Sequence, residues 1–217
     1  MYVYSQEKDC KHFMRRKKED AEQTRQNILK AAAKIFSDKG FARSTLDEIA
    51  KAAKVTRGAI YWHFENKTEI YKALHDNLHR PFIDMMAEDL ENNHPAPLMQ
   101  LREFSIKILL DLENDEQKRQ SLILFLMRSN YTGELAHLKE DHLAKKAESQ
   151  NALAQYFLKA KSSGELPENA DHDFLAEAWG CYIRGILFEY LSDTESFILK
   201  EKAPKLVDLF FNTLNTK

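Results

Sequence analysis

TLDEIAKAAKVTRGAIYWHFENK, residues 45–67, is the stretch from which the rest of the chain is read. Two short helical patterns stand back to back in it, separated by Lys54, Val55 and Thr56. Thr45 and Glu48 have capping-box spacing, in which each side chain accepts from the other residue's orphan amide. Leu46, Ile49, Ala50 and Ala53 then recur at helical spacing as one apolar stripe. Val55 is the expected plug of the turn, and Thr56 the expected cap of the second helix. That helix packs through Ile60 and Phe64, which leaves Arg57, Gly58, Tyr61, Trp62 and His63 facing outward or sideways.

Aromatic residues on a short helix usually belong to a core. A helix of about two turns, however, cannot bury Ile60, Tyr61, Trp62 and Phe64 on one face. Gly58 costs about 1 kcal/mol of helix propensity relative to alanine, which makes sense where a backbone must approach another surface closely. Arg57, Tyr61, Trp62, His63 and Lys67 are groups that suit DNA. Together they read as a helix-turn-helix whose second helix enters a major groove.

Residues 24–76, TRQNILKAAAKIFSDKGFARSTLDEIAKAAKVTRGAIYWHFENKTEIYKALHD, resemble the DNA-binding domain of the TetR/AcrR family of bacterial transcriptional regulators. The resemblance is closest to the drug-efflux repressor branch and most specific in VTRGAIYWHFENK; the remaining chain is similar only in length and helical layout. It implies an all-α fold of about nine helices, with an N-terminal extension and basic arm at 1–19, a helix-turn-helix domain at 20–66 and a ligand-sensing and dimerisation domain at 67–217. It also implies a ligand-responsive repressor, of a multidrug efflux operon, released from double-stranded operator DNA by a hydrophobic small molecule. Carried over onto matching positions, the DNA contacts are Thr45, Thr56, Arg57, Gly58, Ala59, Tyr61, Trp62, His63 and Lys67. Arg57 is assigned to base edges, since a guanidinium matches guanine's two acceptors. Thr45, Tyr61, Trp62, His63 and Lys67 are assigned to phosphates, with Trp62 also near a thymine methyl.

Composition fits this class. Hydrophobic content of 43% in 217 residues supports a core, and 30% charged residues with six glycines and five prolines favour helices. Net charge is only −2, but its distribution is uneven. From Met14 to Lys67 there are 13 Lys/Arg against 7 Asp/Glu, and from Thr68 onward 17 against 25. A basic head on an acidic remainder suits a polyanion at one end. Cys10 and Cys181 form no pair motif, no apolar run approaches the ~20 residues of a membrane span, and no signal peptide is visible, so a cytoplasmic location is expected. His75 and His79 stand four apart without an evident third ligand, and no phosphate-binding or nucleophile motif is present. No enzyme, metal or cofactor is expected.

Residues 1–13 carry no helical period, and Met14 looks like a natural start. Arg15, Arg16, Lys17 and Lys18 form a basic run suited to phosphates or a minor groove. A first helix is expected at 20–38, with Ile28, Leu29, Ala32, Ile35 and Phe36 inward and Gly40 as its left-handed cap. Beyond the helix-turn-helix, helices are expected from 67 to Pro81, or past a kink to 90, then at 98–112, 115–129, 132–162, 171–191 and 196–214, with 92–97 a linker and a break near Pro204. The eighth and ninth helices carry more apolar stripes than one small core needs, so they are expected to pair with a second copy as a homodimer. Phe104, Leu122, Phe125, Leu126, Tyr156, Trp179, Ile183 and Phe188, with Asn130 and Arg184 as polar anchors, are the candidate ligand contacts. For each of these, plain packing is the competing explanation. A helical protein-interaction module, or an activator with the same head, would carry much of the same sequence.

Overall fold

The computed structural model describes the backbone of residues 3–91 and 94–214, and the side chains of 18–88, 91 and 94–214. Among these residues there is no strand. The helices are α1 (Val3–Lys39), α2 (Leu46–Ala53), α3 (Arg57–His63), α4 (Lys67–Glu91), α5 (Pro97–Asp111), α6 (Glu116–Leu122), α7 (Lys139–Ser162), α8 (His172–Ser192) and α9 (Leu199–Leu214). The chain divides into two compact units, Met1–His75 and Asp76–Lys217, so the boundary falls inside α4.

The first unit, the head, is built on α1. Ile28, Leu29, Ala32, Ala33 and Phe36 are buried along its inner face. α1 stops because Gly40 takes a left-handed conformation at φ 80°, and its N–H bonds the Phe36 carbonyl at 2.9 Å. The chain then turns Phe41 into the core. Phe41 lies 5.4 Å from Phe36 and 5.3 Å from Tyr71, ring centre to ring centre. Ile49 and Ala50 of α2, Ile60 of α3 and Ile70, Tyr71 and Leu74 of α4 complete that core. The capping box at Thr45 forms as its spacing predicts, with both reciprocal bonds present. Lys39 first, then the Thr45 amide, hold the Glu48 carboxyl below its usual range. Asn66 Oδ1 accepts from the Glu69 amide at 3.0 Å, which starts α4 at Lys67.

In the second unit, the body, α7 packs on α8 and α5, and α5 packs on α9. Leu101 and Leu109 of α5, Phe157 and Ala160 of α7, Trp179 and Ile186 of α8, and Val207 and Phe211 of α9 share one buried cluster. Two helices are capped by distant side chains. Ala96 offers α5 no side-chain acceptor, and the Glu165 carboxylate takes the Leu98 amide at 2.8 Å instead. Glu113 likewise accepts from the Lys200 amide in the first turn of α9 at 2.9 Å. Arg102 of α5 bonds Asp208 of α9 at 2.6 Å. Along α4 and α7 the seam is polar: Asp76 pairs with Lys145, Ser149 Oγ lies 3.5 Å from His79 Nδ1, and Arg80 lies 3.9 Å from Glu148. Tyr131 stacks on His142 at 4.3 Å. Burial is the main cause that pushes both His79 and His142 below the usual imidazole range.

Several boundaries differ from those expected. α1 starts at Val3, not near 20. Residues 3–19 contain no proline or glycine, and extending an existing helix requires ordering only one residue per added bond. Pro81 and Pro204 sit inside α4 and α9 without ending them. Leu78 and Phe82 on either side of Pro81, and Ala203 and Leu206 on either side of Pro204, pack in or against the body core and hold those helices across the lost bond. The expected helix at 115–129 is α6 followed by a π turn, Ile123–Arg128. The one expected at 132–162 begins as a 3₁₀ segment, Gly133–Leu138, entered through Tyr131 and Gly133 at φ 51° and 56°. Residues 92 and 93 of the expected linker lie outside the described residues.

Candidate nucleic-acid interface

α2 and α3 meet at a sharp corner. Lys54 closes α2 in a left-handed conformation at φ 57°, and its amide bonds the Ala50 and Lys51 carbonyls. Val55, half-buried, returns the chain, and Thr56 Oγ1 accepts from the Ala59 amide at 3.1 Å. This local chemistry fixes the direction of α3. Ile60 and Phe64 go into the head core at 0% and 2% exposure. The opposite face is open: Trp62 is 72% exposed and Tyr61 49%. An exposed tryptophan on an ordered helix forgoes the burial that usually retains it.

The outward groups are organised. Arg57 Nη2 donates to the Tyr61 hydroxyl and Nη1 to Asp47 Oδ2, each at 3.2 Å. Tyr61 first, and then Asp47, stabilise the charged guanidinium and raise its pKa. The Arg57 guanidinium also stands 5.6 Å from the Tyr61 ring centre. Trp62 and His63 meet edge to face at 4.5 Å. Burial first, then the Arg25 charge, push His63 below the usual imidazole range, so at neutral pH it offers an N–H rather than a cation. A Cβ on Gly58 would meet only Thr56 Oγ1 at 3.7 Å, an ordinary contact. Nothing inside the head therefore requires glycine there, and its effect is to flatten the outer face of α3. Thr45 and Thr56 are exposed at the N-caps of α2 and α3, and Ala59 in the first turn of α3 is half-buried.

Lys67 is placed differently from the expectation. Its ammonium donates to the Phe41 carbonyl at 2.8 Å and the Ser44 carbonyl at 3.1 Å, and sits 4.3 Å from the Phe41 ring centre. It points into the head, where it joins the Ser44 amide and hydroxyl as a donor to the Phe41 carbonyl and is itself a donor to the Ser44 carbonyl. Arg15 and Arg16 lie on α1, and their side chains fall outside the described residues. Asp47, the acidic partner of Arg57, was not singled out from sequence; its position in the first turn of α2 resembles any helix-start carboxylate.

The ten candidate ligand contacts are scattered in environment. Leu122, Tyr156 and Trp179 lie in the body core, with Leu126 and Ile183 packed against it. Trp179 is held by Phe210 at 4.7 Å and Phe211 at 5.0 Å, so α9 accounts for its burial. Phe125 is buried, and Phe104 stacks on Phe82 at 5.8 Å. Phe188 is 49% exposed, Asn130 is exposed and accepts from the Thr132 amide, and Arg184 donates to Cys181 Sγ. The last three do not join the first group.

Comparison with known proteins covers both units. Residues 28–74 match the model of bacterial regulatory proteins of the tetR family, and residues 96–216 match the C-terminal region of MAATS-type transcriptional repressors. The chain is 30% identical over 196 residues to the HTH-type transcriptional regulator TtgR of Pseudomonas putida, covering 90% of this chain and 93% of that one. It is 32% identical over 190 residues to the HTH-type transcriptional regulator AcrR of Shigella flexneri, covering 87% and 88%. Among solved structures it is similar to the SmeT–triclosan complex (TM-score 0.78, 29% identity, covering 88% of this chain and 91% of that one). It is similar also to NalD, the secondary repressor of the MexAB-OprM multidrug efflux pump in Pseudomonas aeruginosa (TM-score 0.75, 30% identity, 90% and 98%). With an outward cationic and aromatic helix on a capped helix-turn-helix, and both regions matched, the chain belongs to the tetR family of bacterial regulatory proteins and is a non-enzymatic, DNA-binding transcriptional regulator.

Proposed function

We infer that this chain represses transcription from an operator it reads through α3, and that a hydrophobic small molecule bound in the body releases it. The observation that carries the DNA half is the outer face of α3: Arg57, Tyr61 and Trp62 are exposed and unused by the core, with Arg57 bonded to Tyr61 and Trp62 edge to face with His63. Arg57 reads base edges, because its planar donors match the two acceptors of guanine. Thr45, Thr56, Tyr61, Trp62 and His63 contact the backbone, while Gly58 and Ala59 let α3 approach it closely. Arg15 and Arg16 add charge toward phosphates. Lys67 supports the head from inside.

The body binds the effector and a second copy of the chain. Phe174, Cys181, Gly185 and Phe188 are exposed along one stripe of α8, and Leu209 is 60% exposed on α9. A Cβ at Gly185 would meet nothing within 4 Å, so another helix can lie close there. Such a stripe suits a homodimer through α8 and α9, which sets two heads on one two-fold operator. Leu122, Phe125, Leu126, Tyr156 and Ile183 are the apolar surface on which an effector would act. Effector binding favours a body conformation that, through the chain of α4, no longer supports the operator-bound state of the head. Support for an efflux operon comes from relatives: NalD is the secondary repressor of a multidrug efflux pump, and the SmeT structure is a complex with triclosan.

The test is footprinting on DNA upstream of the protein's own gene, with and without hydrophobic compounds such as triclosan. Two protected half-sites spaced by whole helical turns, lost on adding a compound, are expected. Binding without sequence preference at every salt concentration would refute an operator-reading role. Protection that no tested compound reduces, together with increased transcription in a reconstituted assay, would favour the activator.

A further inference from the structure

The geometry points to Asp47 as the positioning residue for Arg57 and as a charge that penalises DNA of the wrong sequence. This rests on the base-reading role proposed for Arg57. Asp47 is in the first turn of α2 and Arg57 opens α3, so the corner between the helices brings them together. Asp47 Oδ2 accepts from Nη1 and the Tyr61 hydroxyl from Nη2, both at 3.2 Å. The guanidinium is therefore gripped at both terminal nitrogens, from two different helices, before any DNA arrives.

The pair is open to water, with side-chain exposures of 56% for Arg57 and 67% for Asp47. Pairs so exposed contribute little to folding. What the contact does supply is orientation. An unrestrained arginine would have to be ordered on binding, which costs about two- to twelvefold in affinity for one long side chain. Asp47 and Tyr61 meet that cost in advance. Each of these two bonds uses one of the guanidinium's five N–H groups, so the others remain available to base acceptors.

The carboxylate has a second consequence. On non-operator DNA, Arg57 has no matching base and its use is as a phosphate-binding cation. Partnered with Asp47 it offers little net charge for that purpose. On the operator, base acceptors match the fixed donors. Asp47 thus raises the ratio of specific to non-specific affinity rather than affinity itself.

The test measures binding of full-length variants to two probes: the duplex that wild type enriches from a randomised pool, and poly(dI-dC). Asp47→Ala is expected to weaken the selected duplex about two- to twelvefold. It should also tighten poly(dI-dC) binding and steepen its salt slope by up to about 0.9. Asp47→Asn keeps an acceptor for Nη1 but no charge, so it should hold the selected duplex near wild-type affinity while tightening poly(dI-dC) as alanine does. If Asp47→Ala unfolds, Asp47→Asn carries the test. In an Arg57→Ala background, Asp47→Ala should leave the affinity ratio unchanged. A ratio moved by less than twofold in both Asp47 variants, with Arg57→Ala strongly impaired, would overturn the positioning role alone. An equal effect of Asp47→Ala in the Arg57→Ala background would also overturn it. An unaffected Arg57→Ala would overturn the base-reading role of Arg57, and this proposal with it.

Discussion

Lys67→Ala separates two roles that sequence alone confuses. If Lys67 were a phosphate contact, its loss would weaken all DNA alike and reduce the salt slope by about 0.9, with the head unchanged. The structure gives it other work. Its ammonium donates at 2.8 and 3.1 Å to the Phe41 and Ser44 carbonyls and lies over the Phe41 ring. A hydrogen bond to a charged group contributes about 1.5–3 kcal/mol, and the ring contact about 0.5–1 kcal/mol. Lys67 is half-buried and the Phe41 carbonyl keeps its bonds from the Ser44 amide and hydroxyl, so these donors and water recover part of this. A net loss of about 2–4 kcal/mol is expected, a large fraction of the roughly 5–15 kcal/mol that holds a domain folded. Hydrogen exchange in peptides from residues 28–74 should quicken by about thirty- to several-hundredfold, since each 1.4 kcal/mol is about a decade. Lys67→Met keeps the stem, so the part of the loss it retains belongs to the ammonium. The slope of log affinity against log salt should stay at the wild-type value. Unchanged exchange with a slope reduced by about 0.9 would refute the inward role.

Thr56→Ala removes the acceptor for the Ala59 amide and should cost about 1 kcal/mol in chemical denaturation, with Thr56→Ser near wild type; equal stability of both would show that the cap carries no weight. His79 and His142 have folded-state pKa values pushed down by burial, so the unfolded chain binds protons first. Their contribution is complete above pH about 6.5 and is lost as pH falls below it: Tm should drop from pH 7.5 to 5.5, and drop less in His79→Gln. A flat wild-type Tm across that range would contradict this. Leu209→Glu or Phe188→Glu, each at an exposed apolar site, should reduce the light-scattering mass from twice 25.3 kDa to 25.3 kDa; a chain already monomeric at micromolar concentration would remove the α8–α9 interface.

What was legible from sequence is what local chemistry determines. The caps at Thr45 and Thr56 lie three residues from their partners, so spacing alone places α2 and α3 and exposes the outer face. The inward role of Lys67 was not legible. Its acceptors are main-chain carbonyls 26 and 23 residues away, and every residue carries a carbonyl. The π turn at Ile123–Arg128 and the packing of Trp179 escaped for another reason. Segments apolar nearly all round have no period to say which face turns inward, so a tryptophan clamped by Phe210 and Phe211 reads like a pocket wall. Pro204 misled in the opposite direction, and Pro81 left two ends open for its helix, because local propensity is overridden where the flanking residues are packed.

The place of Lys67 also determines how the start of α4 is joined to α2. Ser44, one of its acceptors, immediately precedes Thr45, the N-cap of α2. Phe41, the other, is the aromatic plug between Phe36 and Tyr71. The first residue of α4 is thus bonded to the segment that starts α2, and α2 carries Asp47, which holds Arg57. The Ser44 amide and hydroxyl also donate to the Phe41 carbonyl, so Lys67, Phe41 and Ser44 form one bonded group that ties the α4 N-terminus to the start of α2. A phosphate-bound Lys67 would have coupled α4 to DNA directly and left α2 free. The inward Lys67 instead links the α4 N-terminus to the start of α2 and so to the Asp47–Arg57 pair, and on the base-reading role proposed for Arg57 a displacement of that N-terminus would change its aim.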